Sequence, residues 1–346
     1  MNVAKCFGLL YLLTFNLNAQ VCLTDGVTFT YQEEIDNFKV DYPGCQIIGG
    51  DVYINDTNIS NLDSLNNIKS IKGKLILIDN PPISLLGLGN VVSLGGLSII
   101  DDGLNDFEGL DKLELIYGDF IINDCYGTGT EGLLALKEVQ GDFNIYDNSA
   151  LSLTGFPLLE TIGGNLMIEE NDISGIEGLM SVKSIGGQLI IRDNSSLESL
   201  TGLDSIDAGS ITKLILNTSS SLSFCSVKSI CDYLSLDLGP SEIGENLTGC
   251  NTEDEILDLC SSSTGVLDAK TVGISVYPNP VSDLLEISHE FSDVSELAIF
   301  DSRGNKLLEC LHNVNQLDVS QLPKGMYVLA LRSGVSMYHY TFSKID

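Results

Sequence analysis

The sequence predicts a mainly β protein in which a repeat solenoid of about eight coils of about 23 residues precedes a small C-terminal β-sandwich. Three observations predict this architecture. A glycine followed by alternating apolar residues recurs at steps of 22 or 23 residues, cysteines cluster at both ends of the repeats, and the last segment consists of short alternating runs separated by proline, glycine and aspartate. A fixed period in the twenties is typical of a solenoid, in which each unit buries its apolar face against its neighbours.

The repeats begin at Gly50, Gly73, Gly95, Gly118, Gly141, Gly164 and Gly187, and a degenerate eighth copy begins at Thr212. In each glycine-headed repeat the second and fourth residues after the glycine are apolar, which predicts a short strand with one buried face. Apolar residues about three apart, such as Leu62, Leu65 and Ile68, predict a return path. Pairs of Asn and Asp, such as Asp147 and Asn148, lie between the two halves and favour left-handed corners. Residues 50–216 are therefore predicted to form the solenoid.

Two stretches carry a resemblance to a known architecture. They are Ile-Gly-Gly-Asn-Leu-Met-Ile at 162–168 and Ile-Gly-Gly-Gln-Leu-Ile-Ile at 185–191, and the second is followed by Asn-Ser-Ser-Leu-Glu-Ser-Leu-Thr-Gly-Leu at 194–203. This pattern resembles the right-handed, β-helix-like leucine-rich repeats of receptor L-domains, in the form common in exported bacterial proteins. The resemblance covers residues from about 22 to 260. It is specific for architecture and implies nothing about a ligand.

Residues 1–19 are predicted to be a cleaved signal peptide. Lys5 precedes an apolar run at 7–15, and Ala19 offers a small residue at the cleavage position. Because this run is far shorter than the ~20 apolar residues that span a bilayer, no transmembrane segment is expected.

Solenoid ends expose a core and need caps. Residues 20–49 are predicted to form an N-terminal cap in which Cys22 pairs with Cys45, and residues 217–260 a cysteine-rich C-terminal cap. The cysteines of the C-terminal cap allow three connectivities that the sequence leaves open, and they are Cys225, Cys231, Cys250 and Cys260. Two cysteines have no assigned partner, Cys125 and Cys310.

The chain changes character after a small polar linker predicted at 261–272. Residues 273–346 contain short alternating runs joined by turn residues, which predicts an antiparallel, immunoglobulin-like β-sandwich. Three motifs in this segment resemble the type A C-terminal sorting domain of the type IX secretion system of Bacteroidetes. The residues that carry the resemblance are Tyr277, Pro278, Asn279, Pro280, Asp301, Gly304, Gly325 and Tyr327. The resemblance implies recognition of residues 273–346 by the secretion machinery, export across the outer membrane, and a product that is secreted or held at the cell surface.

Charge and residue content argue against several functions. The net charge of −31 repels phosphate backbones, so no nucleic-acid partner is expected, whereas divalent cations or basic partners would be attracted. The charge also has a simpler explanation, the solubility of a secreted protein. All histidines lie in the C-terminal segment, so the repeats cannot build Ser-His-Asp or Cys-His catalysis. We therefore expect no enzyme activity and no cofactor. Calcium is the one ion that the Asp and Asn corners could hold.

The third residue after each glycine should face solvent, and it is often apolar. The candidate contact residues at this and a flanking position are Tyr53, Ile76, Ile121, Tyr146, Met167 and Ile190. A contiguous apolar stripe marks a contact site, although β-branched residues also simply stabilise strands. The expected function is binding or adhesion to a protein or glycan, with a protein favoured because tryptophan is absent. Two alternatives are a self-associating structural surface component and a hydrolase that uses acidic residues.

Overall fold

The computed structural model describes residues 20–55, 58–126, 129–149, 151, 153, 155–263, 274–278, 281–289, 294–300, 306–311, 316–333 and 336–345. The predicted signal peptide, most of the predicted linker, and the motif residues Asn279, Pro280, Asp301 and Gly304 lie outside these residues. The chain divides into two compact units, Met1–Glu253 and Asp254–Asp346.

The first unit is built on one large sheet of 16 strands, and every pairing in it is parallel. One row of this sheet, the front row, takes a strand from each repeat in sequence order. Its strands are Val27–Phe29, Val52–Ile54, Ser70–Ile78, Ser93–Ile100, Phe120–Asn123, Phe143–Tyr146, Leu166–Glu169, Gln188–Arg192, Lys213–Asn217 and Ser241–Gly244. Phe143 pairs with Phe120 on one side and Leu166 on the other, so the register advances by one whole repeat per strand.

A second row of short strands forms the return row. Ser70–Ile78 and Ser93–Ile100 are long enough to take part in both rows. The other strands of the return row are Gln20–Cys22, Cys45–Ile48, Leu115–Ile116, Glu138–Val139, Thr161–Ile162 and Ser184–Ile185.

Short helical segments connect the rows and close the ends. The 3₁₀ turns are Asp63–Leu65, Leu86–Leu88, Glu177–Leu179 and Ala208–Ser210. The α-helices of the first unit are Gln32–Asp36, Phe38–Asp41 and Lys228–Ser235, and a fourth helix, Glu253–Ser263, begins at the last residue of this unit. A 3₁₀ turn has three residues, which explains the threefold spacing of the buried Leu62, Leu65 and Ile68. The last of these helices extends three residues past the predicted end of the C-terminal cap at 260.

The strand residues predicted to point inward are buried. Phe143 and Ile145 are both 0% exposed, and the equivalent residues of the other coils are buried in the same way. Side chains at one position stack from coil to coil, so the rings of Phe120 and Phe143 lie 4.7 Å apart with 13° between their planes. Each coil therefore buries its apolar residues against the same residues of its neighbours.

The repeated glycine is explained by how closely neighbouring coils approach. A Cβ atom on Gly141 would lie 2.5 Å from the carbonyl carbon of Gly118 in the preceding coil. On Gly73 it would lie 2.4 Å from the backbone nitrogen of Asp51. A side chain at Gly73 or Gly141 would meet the backbone of the preceding coil, so glycine allows the close approach there. Thr212 takes this position in the eighth copy, where the strand still pairs in register.

Polar side chains, most of them asparagine, hold the other ends of the front strands. The amide of Asn148 donates to the carbonyl of Ile122 in the preceding coil at 3.1 Å and to that of Tyr146 at 2.9 Å. Its Oδ1 accepts from the backbone nitrogen of Cys125 at 2.9 Å. Asn171 and Asn194 repeat this arrangement. We call this buried column the interior ladder, and its members are Asn80, Asp102, Cys125, Asn148, Asn171, Asn194, Ser219 and Asn246.

Asp102 is the one carboxylate in the interior ladder. It is 3% exposed, and its Oδ2 accepts from the amide of Asn80 at 2.7 Å. Its Oδ1 has no hydrogen-bond partner. Burial raises the pKa of Asp102 to about 6, against the lowering effect of the bonds from Asn80. The carboxyl group of Asp102 thus occupies a ladder position at which an asparagine amide would donate hydrogen bonds to backbone carbonyls.

Cys125 is a free, buried thiol that also belongs to the interior ladder. Its Sγ lies 3.3 Å from the carbonyl oxygen of Asn123 and 3.8 Å from that of Ile99, the equivalents of the two carbonyls that Asn148 contacts. Burial raises the pKa of the Cys125 thiol to about 11, so it stays protonated. The left-handed corner before it is Asp124, so a cysteine follows this corner where asparagine follows the corner at Asp147.

Disulfides hold both ends of the repeats. Cys22 and Cys45 are bonded, which confirms the predicted pair. Cys225 is bonded to Cys250, with Cα atoms 5.5 Å apart, which removes two of the three open connectivities. Cys231 and Cys260 are disulfide-bonded as well.

The second unit contains two antiparallel sheets. The three-stranded sheet consists of Ile274–Tyr277, Leu284–His289 and Gln316–Asp318. The four-stranded sheet consists of Val294–Phe300, Lys306–Leu311, Gly325–Ser333 and Ser336–Lys344. Leu285 and Leu317 of the first sheet share one apolar core with Ile299, Leu329 and Phe342 of the second.

Replacing Gly141 with alanine is expected to lower the free energy of unfolding of the repeats by roughly 1–3 kcal/mol, because the new methyl group meets backbone of the preceding coil. Chemical denaturation followed by circular dichroism would measure the change. Gly244→Ala is the matched control, since nothing lies within 4 Å of a Cβ at that position. Equal losses in the two variants would contradict the close-approach explanation.

Asp102→Asn is expected to stabilise the repeats by about 3 kcal/mol well above pH 6, because an amide can donate where the carboxylate cannot. The folded state keeps the Asp102 proton up to about pH 6, whereas the unfolded chain releases it near 3.8. The contribution of Asp102 to the stability of the wild type therefore falls as the pH rises from about 4 to about 6. The difference in stability between the variant and the wild type should vanish below about pH 4. Denaturation midpoints from pH 4 to 8 would measure it. The exposed Asp63→Asn serves as control, and a pH-independent difference would count against this explanation.

Candidate functional site

Five of the six predicted contact residues lie in one continuous row on the outer side of the front row. Tyr53 pairs in register with Ile76, Ile121 with Asn144, and Met167 with Ile190. We call this the outward row, and its members are Tyr53, Ile76, Ser98, Ile121, Asn144, Met167 and Ile190. Ile215 and Glu242 extend it toward the C-terminal cap.

The outward row is less accessible than its position in the sequence predicts. Tyr53 is exposed, and Ile121, Met167 and Ile190 are half-buried. Ile76 is only 7% exposed, so it cannot present the apolar surface expected of it. Lys74, two residues earlier on the same strand, extends beside Gly96 and reaches Asp119 at 3.5 Å.

A second row flanks the outward row at the ends of the front strands. Tyr146 belongs here and pairs with Asn123 and Glu169. The members of this second row are Asn55, Ile78, Ile100, Asn123, Tyr146, Glu169 and Arg192. All except the exposed Asn55 are half-buried. The six predicted contact residues are thus divided between two adjacent rows of one face.

Acidic side chains follow the second row directly. Each occupies a left-handed corner, with φ from 46° at Asp101 to 57° at Asp147, and each is exposed. We call this the carboxylate column, and its members are Asp79, Asp101, Asp124, Asp147, Glu170 and Asp193. Its first two carboxyl groups interact, because a hydrogen bond with Asp101 raises the pKa of Asp79. The corner prediction is confirmed, although the acids point outward while the following ladder residues point inward.

A further set of side chains at the start of the front strands was missed by the sequence reasoning. Asp119 Oδ1 accepts from the backbone nitrogen of Asp142 at 3.1 Å, and Asp142 in turn accepts from Asn165 at 2.7 Å. Asp51 makes the same bond to Lys74 at 2.8 Å. The signal for this set was the Asp or Asn that directly follows several repeat glycines. Each of these side chains accepts a hydrogen bond from a backbone nitrogen of the following coil and so stabilises the stacking of coils.

One group of carboxylates could hold a metal ion. Oxygen atoms of Glu169, Glu170 and Asp193 lie within 4.8 Å of one another. Neighbouring residues of a strand point to opposite faces, but Glu170 has a left-handed φ of 53°, and its carboxylate lies close to that of Glu169. Arg192 forms a salt bridge with Glu169, so the group offers a cation less negative charge than three free carboxylates would.

The described part of the sorting motif lies on two strands of the second unit. Tyr277 ends the strand Ile274–Tyr277 and is exposed. Tyr327 is buried, stacks on Phe342 with ring centroids 5.6 Å apart, and donates its hydroxyl hydrogen to the carbonyl of Pro323 at 2.6 Å. Gly325 begins the strand that carries Tyr327. The motif therefore anchors a turn to the core of this unit.

Residues 275–342 match the family described as "Secretion system C-terminal sorting domain", which covers 68 of the 346 residues. No curated protein matches the chain significantly. Among the described residues, no helix is both long and apolar enough to span a bilayer. The C-terminal unit is thus the signal by which the type IX secretion machinery exports the chain, and the protein is secreted or held at the cell surface.

Proposed function

We propose that the first unit is a leucine-rich solenoid of receptor L-domain type and that the exported protein is a non-enzymatic binding or adhesion protein. Under this proposal the C-terminal unit is an immunoglobulin-like sandwich that serves export alone. The observation that carries the proposal is the continuity of the outward row across consecutive coils. A surface of this length suits an extended contact with another molecule better than the binding of a small substrate.

The residue content of this face supports binding over catalysis. The repeats have no histidine, and the acids near the outward row are fixed in corners, bonded to backbone or, like Glu169 and Glu242, paired with a cation. The outward row offers Tyr53, Ile121, Met167 and Ile190, which contribute apolar contact area and no nucleophile. A protein partner fits this composition better than a glycan, because few aromatic rings are available for stacking on sugars.

A triple variant, Tyr53→Lys, Ile121→Lys and Met167→Lys, is expected to lose bound partners in a pull-down from cell-surface and medium fractions. Three charges in the outward row would have to be desolvated on contact, which costs far more than the lost apolar area. The matched control substitutes lysine for Tyr117, Leu134 and Met180, which are exposed apolar residues outside this face. Equal recovery of partners by both variants would remove the outward row from consideration.

Self-association through the same face is the alternative from another class. We expect the purified protein to remain a monomer at micromolar concentration in light scattering, because the carboxylate column would bring like charges together between copies. A wild-type dimer or larger assembly that the triple lysine variant abolishes would instead favour a structural surface component.

A further inference from the structure

The carboxylate column carries charge that the fold does not need. Its corners require a left-handed backbone, which glycine and asparagine adopt more readily than glutamate. Yet every one of these six corners has an acid, and one of them is Glu170. In the described part of the chain, no column member forms a salt bridge. The column therefore presents a line of exposed carboxylates beside an apolar face.

The cations on this face form their salt bridges with acids outside the column. Lys74 reaches Asp119 at 3.5 Å, and Lys213 reaches Glu242 at 2.6 Å. Arg192 pairs with Glu169 of the second row, and its charge also interacts with Glu170 and Asp193, so it offsets part of the charge at one end of the column. A hydrogen bond with Asp101 raises the pKa of Asp79, so these two neighbouring carboxyl groups lie close together. A cationic ligand would relieve this mutual repulsion.

The apolar residues beside the column fit the side chains of such a ligand. Ile78, Ile100 and Tyr146 are half-buried members of the second row and lie directly before the column. Lysine and arginine bury their methylene stems on apolar surface while the charged end stays at the polar margin. The carboxylate column and the apolar residues beside it together favour long cationic side chains over compact cations.

We propose that this face binds an extended, cationic segment of a partner protein. Its lysine or arginine stems lie on the outward and second rows, and their charged ends meet the carboxylate column. Six coils at about 4.8 Å per strand give a column about 24 Å long, which an extended segment of about seven residues spans. This inference rests on the proposed binding function and names the partner chemistry.

The test uses the full chain and an acetylated, amidated octapeptide of alternating lysine and threonine. Titration calorimetry at about 0.15 M salt is expected to detect binding of this lysine peptide. It is expected to detect no binding of a second octapeptide in which glutamine replaces lysine. The column variant is Asp101→Asn, Asp124→Asn, Asp147→Asn and Asp193→Asn, in which asparagine keeps the left-handed corners. It is expected to bind the lysine peptide about tenfold more weakly, from the loss of several exposed ion pairs.

A control variant has the same net charge as the column variant and keeps the column. It carries Glu33→Gln, Asp41→Asn, Glu108→Gln and Glu198→Gln, all exposed acids outside the front face, and it should bind like the wild type. Equal weakening in the two variants, or no binding by the wild type, would overturn the proposal. If the column variant still captures the partners that the triple lysine variant loses, binding by the outward row stands and only the cationic chemistry is wrong.

Discussion

The parallel stacking of coils depends on hydrogen bonds made by buried side-chain amides. A strand that ends in a sharp corner leaves backbone carbonyl and amide groups of two coils without sheet partners, and water cannot reach them. Asn148, Asn171 and Asn194 satisfy these groups and join each coil to both of its neighbours. The apolar core and the outward row both take their spacing from this ladder.

The ladder also determines what the outside of the molecule can present. An inward side chain at Asn171 fixes the preceding residue in the left-handed conformation, so Glu170 must point away from the core. The same coupling recurs in consecutive coils and aligns the carboxylate column. The outward direction of the corner side chains is therefore a consequence of the buried hydrogen bonds. The backbone does not require an acid rather than asparagine at these corners, so that choice can serve the function of the face.

Much of the repeat could be predicted from sequence because its constraints are local. Period-two apolar residues, left-handed corners and the pairing of Cys22 with Cys45 each follow from a short pattern, and the structure contains all three. The sequence shows that the glycine recurs in each repeat but not why it is needed, because the backbone that it approaches lies one whole repeat away in the sequence. Cys125 was missed for the opposite reason, since its role comes from hydrogen bonds to Ile99 and Asn148, residues of two other coils.

The candidate site was less predictable than the fold. Alternation along a strand shows which side a residue takes, but it does not show how far neighbours cover it. Ile76 points outward and is still buried, and Lys74 on the same strand extends to a carboxylate two coils away. Glu169 and Glu170 approach each other through a backbone φ that composition alone does not specify for glutamate.

Each front strand within the repeats pairs only with the strands of the preceding and following coil. A coil is consequently a complete unit of length, and one can be duplicated or deleted without changing any contact made at the ends. Evolution can thus extend or shorten the face that meets a partner in steps of one strand spacing, at constant chemistry per step. Gain or loss of whole repeats can therefore change the length of the partner segment that the face binds, while both disulfide-bonded ends stay the same.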